Sequence, residues 1–405
     1  MIGAPLVKDS THRLAVLGTS VTQNPVLKSY AEKDLGIALD MVTLGGESAQ
    51  QRAALSPESF HVYDQWFHDL DLSWPTGSLM PIDTNRIKAF NKINTAALSG
   101  FAGGKDQKWK PTAPIERLFV GSDMMLSSKP SEMISMLPTI FNADTLAVIN
   151  GEATDSAPIH GWGDLLDKRW HGSAIIQKDS AISVVEMLLA FIEKGDLQLA
   201  DIGDLDIDEI DRFVTLFQQC LKSGQFKGYW EVQDDLQYLL ASDSPVLCSI
   251  WWSGAMRLRA QGHDVQMITP KQGYRGWFGG LALSRAIPDW ARDAAYDYLN
   301  WWLTGSAGAY LCRQGSYFTN LTATQDYLQQ HEYEFWIEGK PARYDIFDND
   351  GMLLYQRDSI REGGSLEDRM NNIAAWNIIM PEHNYLVRKW ETLSWSWLNS
   401  AAHSY

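Results

Sequence analysis

The sequence predicts an α/β fold of two lobes, each a mainly parallel sheet flanked by helices. Strand patterns alternate with helix patterns over most of the chain, as they do where crossover helices cover a parallel sheet. At 405 residues the chain exceeds what one core organises, since single cores stop growing near about 250–300 residues. Hydrophobic content of 45% with 21% charged residues is that of a folded globular protein.

The elements follow in order. Arg13–Leu17 is a short apolar strand. Asn24-Pro25 then opens a helix that ends at Gly36, the punctuation expected of a helix with Pro in its first turn and Gly past its last. Ile37–Thr43 alternates and reads as a second strand, so strand, helix and strand imply a right-handed parallel unit. Phe60–Tyr63 and Thr145–Ile149 read as further strands of the same sheet. Ser173–Gln177 starts a new strand-helix pair whose helix, Ser180–Lys194, stops at Gly195. Asp208–Lys222 is helical and stops at Gly224; Val246–Trp251 and Val265–Ile268 are strands. Gly280–Leu283 is another, followed by a helix opened by Pro288 and running to about Leu303.

The second series lies inside the first, so the lobes join at crossings near Ile149-Asn150-Gly151 and near Gly279–Leu283. One lobe then takes residues 1–149 and 280–316, and the other 150–279. From 317 to 405 the character changes. Gln325–Gly339, Asp348-Asn349-Asp350-Gly351 and Arg361-Glu362-Gly363-Gly364 read as loops, and Asp368–Ile379 resumes helical spacing. Trp376, Tyr385, Trp390, Trp395 and Trp397 supply apolar anchors for a C-terminal extension packed over the lobes in a structural role.

Charge and motifs narrow the function. A formal charge of −16 argues against nucleic acid, which is held by Lys and Arg on phosphates, and against anionic lipid. No window offers the roughly 18 uncharged apolar residues a membrane span needs. Cys220, Cys248 and Cys312 are too far apart for a zinc site and read as buried small hydrophobes. No GxSxG, HExxH, CxxC pair or GxxxxGK[ST] loop is present, and Gly161-Trp162-Gly163 is too short and aromatic to cradle phosphate. Asp204-x-Asp206-x-Asp208 mimics a calcium loop, but Glu209 stands where Gly is needed and Thr215 where the closing Glu belongs. Those carboxylates instead suit a helix N-terminus. His160 and His171 read as solvated, so no metal, cofactor or catalytic residue is expected. Many Trp residues beside 50 acidic ones raise a carbohydrate-active enzyme, whose two carboxylates would stand about 5–10 Å apart; the sequence selects no such pair.

Ile250–Gly280 is the richest stretch. Trp251 and Trp252 end one apolar strand, Trp277 starts another, and a Gly-rich turn around Gly273 lies between. Aromatics at strand mouths can wall a small-molecule site, because open α/β sheets bind ligands beyond their strand ends.

The same residues carry a resemblance. Ile250-Trp251-x-x-Gly254-Ala255, Arg259-Ala260-x-Gly262, Val265 to Pro270-Lys271-x-Gly273, then Trp277 and Leu281-Ala282 resemble the second lobe of the spermidine/putrescine-type periplasmic solute-binding proteins of ABC importers. Arg13–Leu17 with Pro25–Gly36 resembles their first strand and helix. Val62-Tyr63-Asp64, Met80-Pro81-Ile82-Asp83, and Trp162–Asp167 with Trp170–Asp179 resemble later segments, covering roughly residues 13–320. The resemblance implies the type II periplasmic-binding-protein fold and a non-enzymatic role: capture of a small nitrogenous solute and delivery to ABC permease subunits. It implies a monomer in the periplasm without membrane insertion or cofactor. The N-terminus MIGAPLVKDSTHRL lacks a basic n-region and an apolar h-region, so an export signal is expected to have been removed before residue 1.

Carried over residue by residue, Trp251 and Trp277 match two aromatic walls and Asp179 matches an acid. Thr19, Ser20, Val21, Gln65 and Trp66 occupy first-lobe contact positions. A Trp face attracts a cation by roughly 0.5–2 kcal/mol, and a buried ammonium needs a paired anion. Two departures lower the case for a linear polyamine: Gly279 and Ile182 stand where polyamine binders carry acids. Arg275 instead offers a fork suited to a carboxylate. The ligand is therefore expected to be a polyamine-like amine, a quaternary amine or an amino-acid derivative, with a carboxylate or sugar derivative held by Arg275 as the alternative.

Overall fold

A computed structural model of the chain describes residues 13–94, 114–151, 158–231, 234–240 and 244–401. Among these, β1 (Arg13–Gly18) leads into α1 (Pro25–Leu35), where Asn24 accepts a hydrogen bond from the Val26 amide and Gly36 closes the helix in the left-handed region. β2 (Ala38–Thr43), α2 (Gly46–Leu55) and β3 (Val62–Trp66) follow. The long strand β4 (Leu137–Ile149) is buried throughout. Then come β5 (Ala174–Gln177), α3 (Ser180–Lys194), α4 (Ile207–Ser223), β6 (Phe226–Trp230), β7 (Val246–Ile250), α5 (Trp252–Ala260) and β8 (Val265–Met267). A second long strand, β9 (Tyr274–Ser284), precedes α6 (Asp289–Trp302), β10 (Tyr317–Phe318), β11 (Ile373–Trp376) and α7 (His383–Ala401).

One sheet runs through the described residues in the order β6-β5-β7-β4-β9-β3-β1-β2. Its two ends are parallel: β2, β1 and β3 at one, β6, β5 and β7 at the other. The centre is antiparallel. β4 pairs antiparallel with β7, β8, β9 and β10, and β9 pairs antiparallel with β3. Both central strands are longer than their apolar runs suggested, because polar residues inside them, such as Asn142 and Asp144, are buried with partners rather than ending the strand.

Alternation along β4 divides the core. Leu146 and Val148 join a cluster with Trp162, Leu188, Phe213 and Trp390, whereas Ala147 and Ile149 join one with Phe141, Phe278, Trp302 and Trp376. α3 is buried from Ala181 to Phe191, as a helix apolar on all sides must be. Asp206 caps α4 reciprocally with Glu209, so the apparent calcium loop is a capping box, and no metal-holding cluster occurs among the described residues. Cys248 and Cys312 are buried and Cys220 is half-buried, all as free thiols. His160 and His171 are exposed.

The C-terminal segment departs from its sequence reading. Leu366–Met370 is a short helix, but Ile373–Trp376 is a strand that pairs parallel with β9. Sheet pairing overrode the helical spacing there. Trp390 on α7 stacks on Phe217 at 5.0 Å, while the side chains of Trp395 and Trp397, like residues 1–12, lie outside the described residues. No helix among the described residues is long and apolar enough to cross a membrane.

Gly280 sits where β9 shifts register against β4, and a Cβ there would come within 2.8 Å of Met136 Cγ and closer still to the Leu137 carbonyl oxygen. Gly280→Ala should therefore destabilise the fold by about 1–3 kcal/mol, read as a lower urea midpoint with unchanged slope.

Candidate functional site

The register of the sheet defines where a site can form. β3 runs toward Gly279 of β9, with Trp66 opposite that residue, and β1 ends at Gly18 beside Asp64. From the other end, β7 runs toward the centre and finishes with Ile250 opposite Thr145 of β4. β5 and β6 lie parallel to β7 and point the same way. Both parallel sets thus aim their carboxyl ends at one stretch of β4 and β9, Ile140–Asp144 against Arg275–Gly279. That stretch is roughly 17 Å long at about 3.3 Å per residue. Open sheets bind ligands beyond their carboxyl ends, and here two such edges face each other.

Within this stretch, Arg275, Trp277 and Gly279 share one face with their partners Asp144, Asn142 and Ile140. Trp66 lies against Trp277 edge-on, ring centroids 5.1 Å apart. A Cβ at Gly279 would stand 2.8 Å from Ile140 Cγ2 and 3.2 Å from the Trp66 ring, so the missing side chain is what admits that indole. The opposite face is closed by Phe141 stacked on Phe278 and by Trp376 stacked on Phe278 in turn.

Arg275 is 1% exposed and fully engaged. Its Nε donates to Glu186 Oε1 at 2.7 Å, Nη1 to Asn377 Oδ1 at 2.8 Å, and Nη2 to Asp144 Oδ2 at 3.4 Å. Asp144 also accepts from Trp277 Nε1 at 2.5 Å and from the Trp252 amide at 3.2 Å. Burial pushes the Asp144 carboxyl up to about 6, against the pull of Arg275 and these donors, and raises Glu186 as well.

More carboxyls surround this core. Asp179 caps α3 by accepting from the Ala181 amide at 2.8 Å. It keeps some accessible surface yet is enclosed by protein on most sides, as a group on the wall of a concavity would be. Desolvation raises its pKa, Glu47 and Glu231 add to the rise, and the Ala181 amide and Arg275 oppose it. Asp69, just past β3, is buried with its Oδ2 unpartnered among the described residues. Desolvation first, then Asp179 and Asp71, hold it well above the ordinary carboxylate range. Burial, with Arg117, Arg275 and His383 adding, pushes the neighbouring His68 down to about 3, so its 3.7 Å approach to Asp69 is not an ion pair at neutral pH.

The structure assembles part of the expected set. Trp66, Arg275, Trp277 and Gly279 meet, and Asp179 lies within electrostatic reach of Arg275. Trp251 is half-buried at the mouth of β7, edge-on to Trp230 at 4.9 Å, and the amide following it holds Asp144. Gln65 turns away and donates to the Gly46 carbonyl at 3.1 Å. Thr19 is buried and accepts from the Gln23 amide through its backbone, Ser20 is exposed and Val21 half-buried. These three stand on the same sheet edge and connect inward through Thr22, whose hydroxyl bonds Asp64.

One expectation is corrected. Arg275 is not a free fork for a ligand carboxylate, because a guanidinium removed from water needs counter-charges and Glu186 and Asp144 already supply them. The C-terminal segment reaches this cluster: Asn377 binds Arg275, and Trp390 Nε1 donates to the Lys178 carbonyl beside Asp179 at 2.9 Å. Sequence reading missed Asp144, Glu186, Asp69, His68 and Asn377. For two of them a signal existed. Asp144 interrupts an apolar strand, and Glu186 is the lone charge among the apolar residues 181–192 of α3, one helical turn beyond Ile182. A separate cavity of about 380 Å³, lined by His160, Asp164, Asp167, Arg169, Glu193 and Lys194 among others, shares no residue with this cluster, and its charges largely pair with each other.

The profile of a family described as bacterial extracellular solute-binding protein matches residues 82–336. No curated protein matches the chain. Among solved structures, the chain is similar to the spermidine/putrescine ABC transporter substrate-binding protein PotD from Streptococcus pneumoniae, with TM-score 0.58, 12% identity, 96% of this chain and 98% of that chain covered. It is similar to the PBP MotA from A. tumefaciens B6, solved with glucopine, at TM-score 0.61 and 11% identity over 95% of this chain and 100% of that one. The Atu4243-GABA receptor gives TM-score 0.59 and 14% identity over 95% and 98%. At such identities the likeness establishes the fold, the two-lobed α/β architecture of periplasmic binding proteins.

Asp64 offers a test of the buried acids. Burial raises its pKa from 3.8 to about 7, with the Thr22 hydroxyl opposing. A raised acid favours the fold fully below about pH 4, and that contribution is lost as pH rises through about 7. Asp64→Asn should therefore be more stable than wild type at pH 8, on the order of 2 kcal/mol, and equal to it near pH 4, as read by thermal unfolding across that range.

Proposed function

Because the chain belongs to the bacterial extracellular solute-binding protein family, we propose that it is the substrate-binding subunit of an ABC importer and closes on a small cationic nitrogenous solute. The observation that carries the ligand class is the surplus of carboxyls. Asp144, Glu186 and Asp179 lie around one guanidinium, that of Arg275, with Asp69 next to Asp179, beside the indoles of Trp66, Trp251 and Trp277. A set short of positive charge in a poorly hydrated cleft favours a cation. Indole faces add roughly 0.5–2 kcal/mol for an ammonium or quaternary nitrogen.

Arg275 then acts as a structural counter-ion, and the solute supplies the remaining positive charge at Asp179 and Asp69. A mono-amine, a quaternary amine or an amino-acid derivative with an exposed amine suits this better than a long polyamine, since Gly279 carries the Trp66 ring where a further acid would stand. The relatives named for spermidine/putrescine and for GABA take amine-bearing solutes, which agrees with this class.

One lobe comprises the chain up to 149 with 280–316, the other 150–279, and the remainder packs on both. β4, the last strand before that boundary, pairs through Thr145–Ile149 with β7 of the other lobe, and β9 crosses the boundary at 279/280, so closure is a bend where these two strands pair, and a solute touching both strand edges favours the closed state. The chain makes and breaks no bond. It works as a periplasmic monomer, and its partners are the solute and the permease subunits.

A thermal-shift screen of mono-amines, betaines, opine-like compounds and polyamines identifies the ligand, since a solute at about 100 times its Kd stabilises by about 2.7 kcal/mol. Stabilisation by anionic solutes alone would overturn the reading. With the ligand in hand, Trp251→Ala should weaken binding by about tenfold or more while leaving the melting temperature of the free protein within a few degrees; unchanged affinity removes Trp251 from the site. Affinity should also fall as pH drops from about 7 to 5. Desolvation raises Asp179 above the ordinary carboxylate range, and protonating it removes the negative charge that holds the cation; calorimetric titration at both pH values decides this.

A further inference from the structure

Arg361 and Arg369, both from the C-terminal segment, are buried at 1% and 0% exposure. They share an aromatic cage on the face of the central strands away from Trp277. The Arg361 guanidinium lies 4.4 Å from the Trp252 ring centroid and 5.0 Å from those of Tyr317 and Trp336. That of Arg369 lies 5.5 Å from Trp252 and 5.2 Å from Tyr317. Trp252 Nε1 donates to the Ala143 carbonyl and Tyr317 pairs with Phe141, so the cage is built on β4 itself.

Among the described residues, neither guanidinium forms an ion pair with a carboxylate. The nearby Glu362 is held by Arg259 and by the Tyr355 hydroxyl at 2.9 Å. Arg361 donates from Nη1 to the Trp336 carbonyl at 3.1 Å, and Arg369 from Nη1 to the Gly364 carbonyl at 2.6 Å and from Nη2 to the Tyr317 hydroxyl. Arg361 Nε and Nη2 and Arg369 Nε, all buried, have no partner among the described residues. The two charges also repel, and desolvation with that repulsion pulls Arg361 well below its ordinary range. Two like charges in an apolar cage with three idle donors are a costly arrangement unless an anion completes it.

We propose that a small inorganic anion of halide size binds between Arg361 and Arg369 and fastens the C-terminal segment to the body of the protein. Ring faces offset part of the positive charge but accept no N–H in line, whereas a chloride accepts from several donors at once. The site is independent of the solute cleft, from which it is separated by the sheet.

The test is thermal unfolding of the full chain in sodium chloride against sodium gluconate at matched ionic strength. Chloride should raise the melting temperature by about 3–5 °C in a saturable way, the size expected for a ligand at about 100 times its Kd. Arg361→Met should lose that dependence. Should the variant fail to fold, crystals of the wild type grown in bromide should show an anomalous peak between the two guanidiniums. Coincident chloride and gluconate curves, or a bromide-grown crystal with only water at the two arginines, would overturn the proposal.

Discussion

The contact on which the rest of the architecture depends is the buried group formed by Arg275, Asp144, Glu186 and Asn377. It joins β9, β4, α3 and the C-terminal segment at the one stretch where the two parallel strand sets point at each other. A charge sealed from water without a partner costs about 3–5 kcal/mol, so each of these elements is held in place by the need to satisfy the others. Within that group two carboxyls face one guanidinium, and Asp179 lies within electrostatic reach of it.

Geometry and electrostatics therefore act together. Gly279 lets Trp66 lie across β9 onto Trp277, and Trp277 in turn donates to Asp144, so the aromatic wall and the acid cluster are one connected structure. The C-terminal segment belongs to this structure. It contributes a strand to the sheet, Asn377 to the arginine cluster, Trp390 to the turn that carries Asp179, and two arginines to the cage behind the central strands. The segment thereby ties together elements that lie on both sides of β4 and β9.

Local chemistry made many elements readable. Asn24-Pro25 with Gly36, Asp179 with Gly195, and Asp206 with Gly224 delimit helices because capping depends on residues within a few positions of one another. Trp251 does stand at a strand mouth and Asp179 at a strand-to-helix turn, as their local patterns suggested, but Trp277, expected to start a strand, lies inside β9, because β4 pairs with it there. Ile373–Trp376 misled, since its strand exists only because β9 offers an edge about a hundred residues earlier in the chain. Arg275 misled for a related reason: a lone Arg in a sequence carries no sign of the Glu186 and Asp144 that enclose it.

By itself the sequence determined the alternating α/β class, the helix boundaries and the acidic, Trp-rich character of the chain, because period, caps and composition are local properties. Only the tertiary structure decided the antiparallel centre, the opposition of the two strand edges, and which carboxyls converge. Pairing register and burial are long-range quantities. A residue's charge is written in its side chain, but whether that charge is spent on a neighbour or left for a ligand depends on what folds against it.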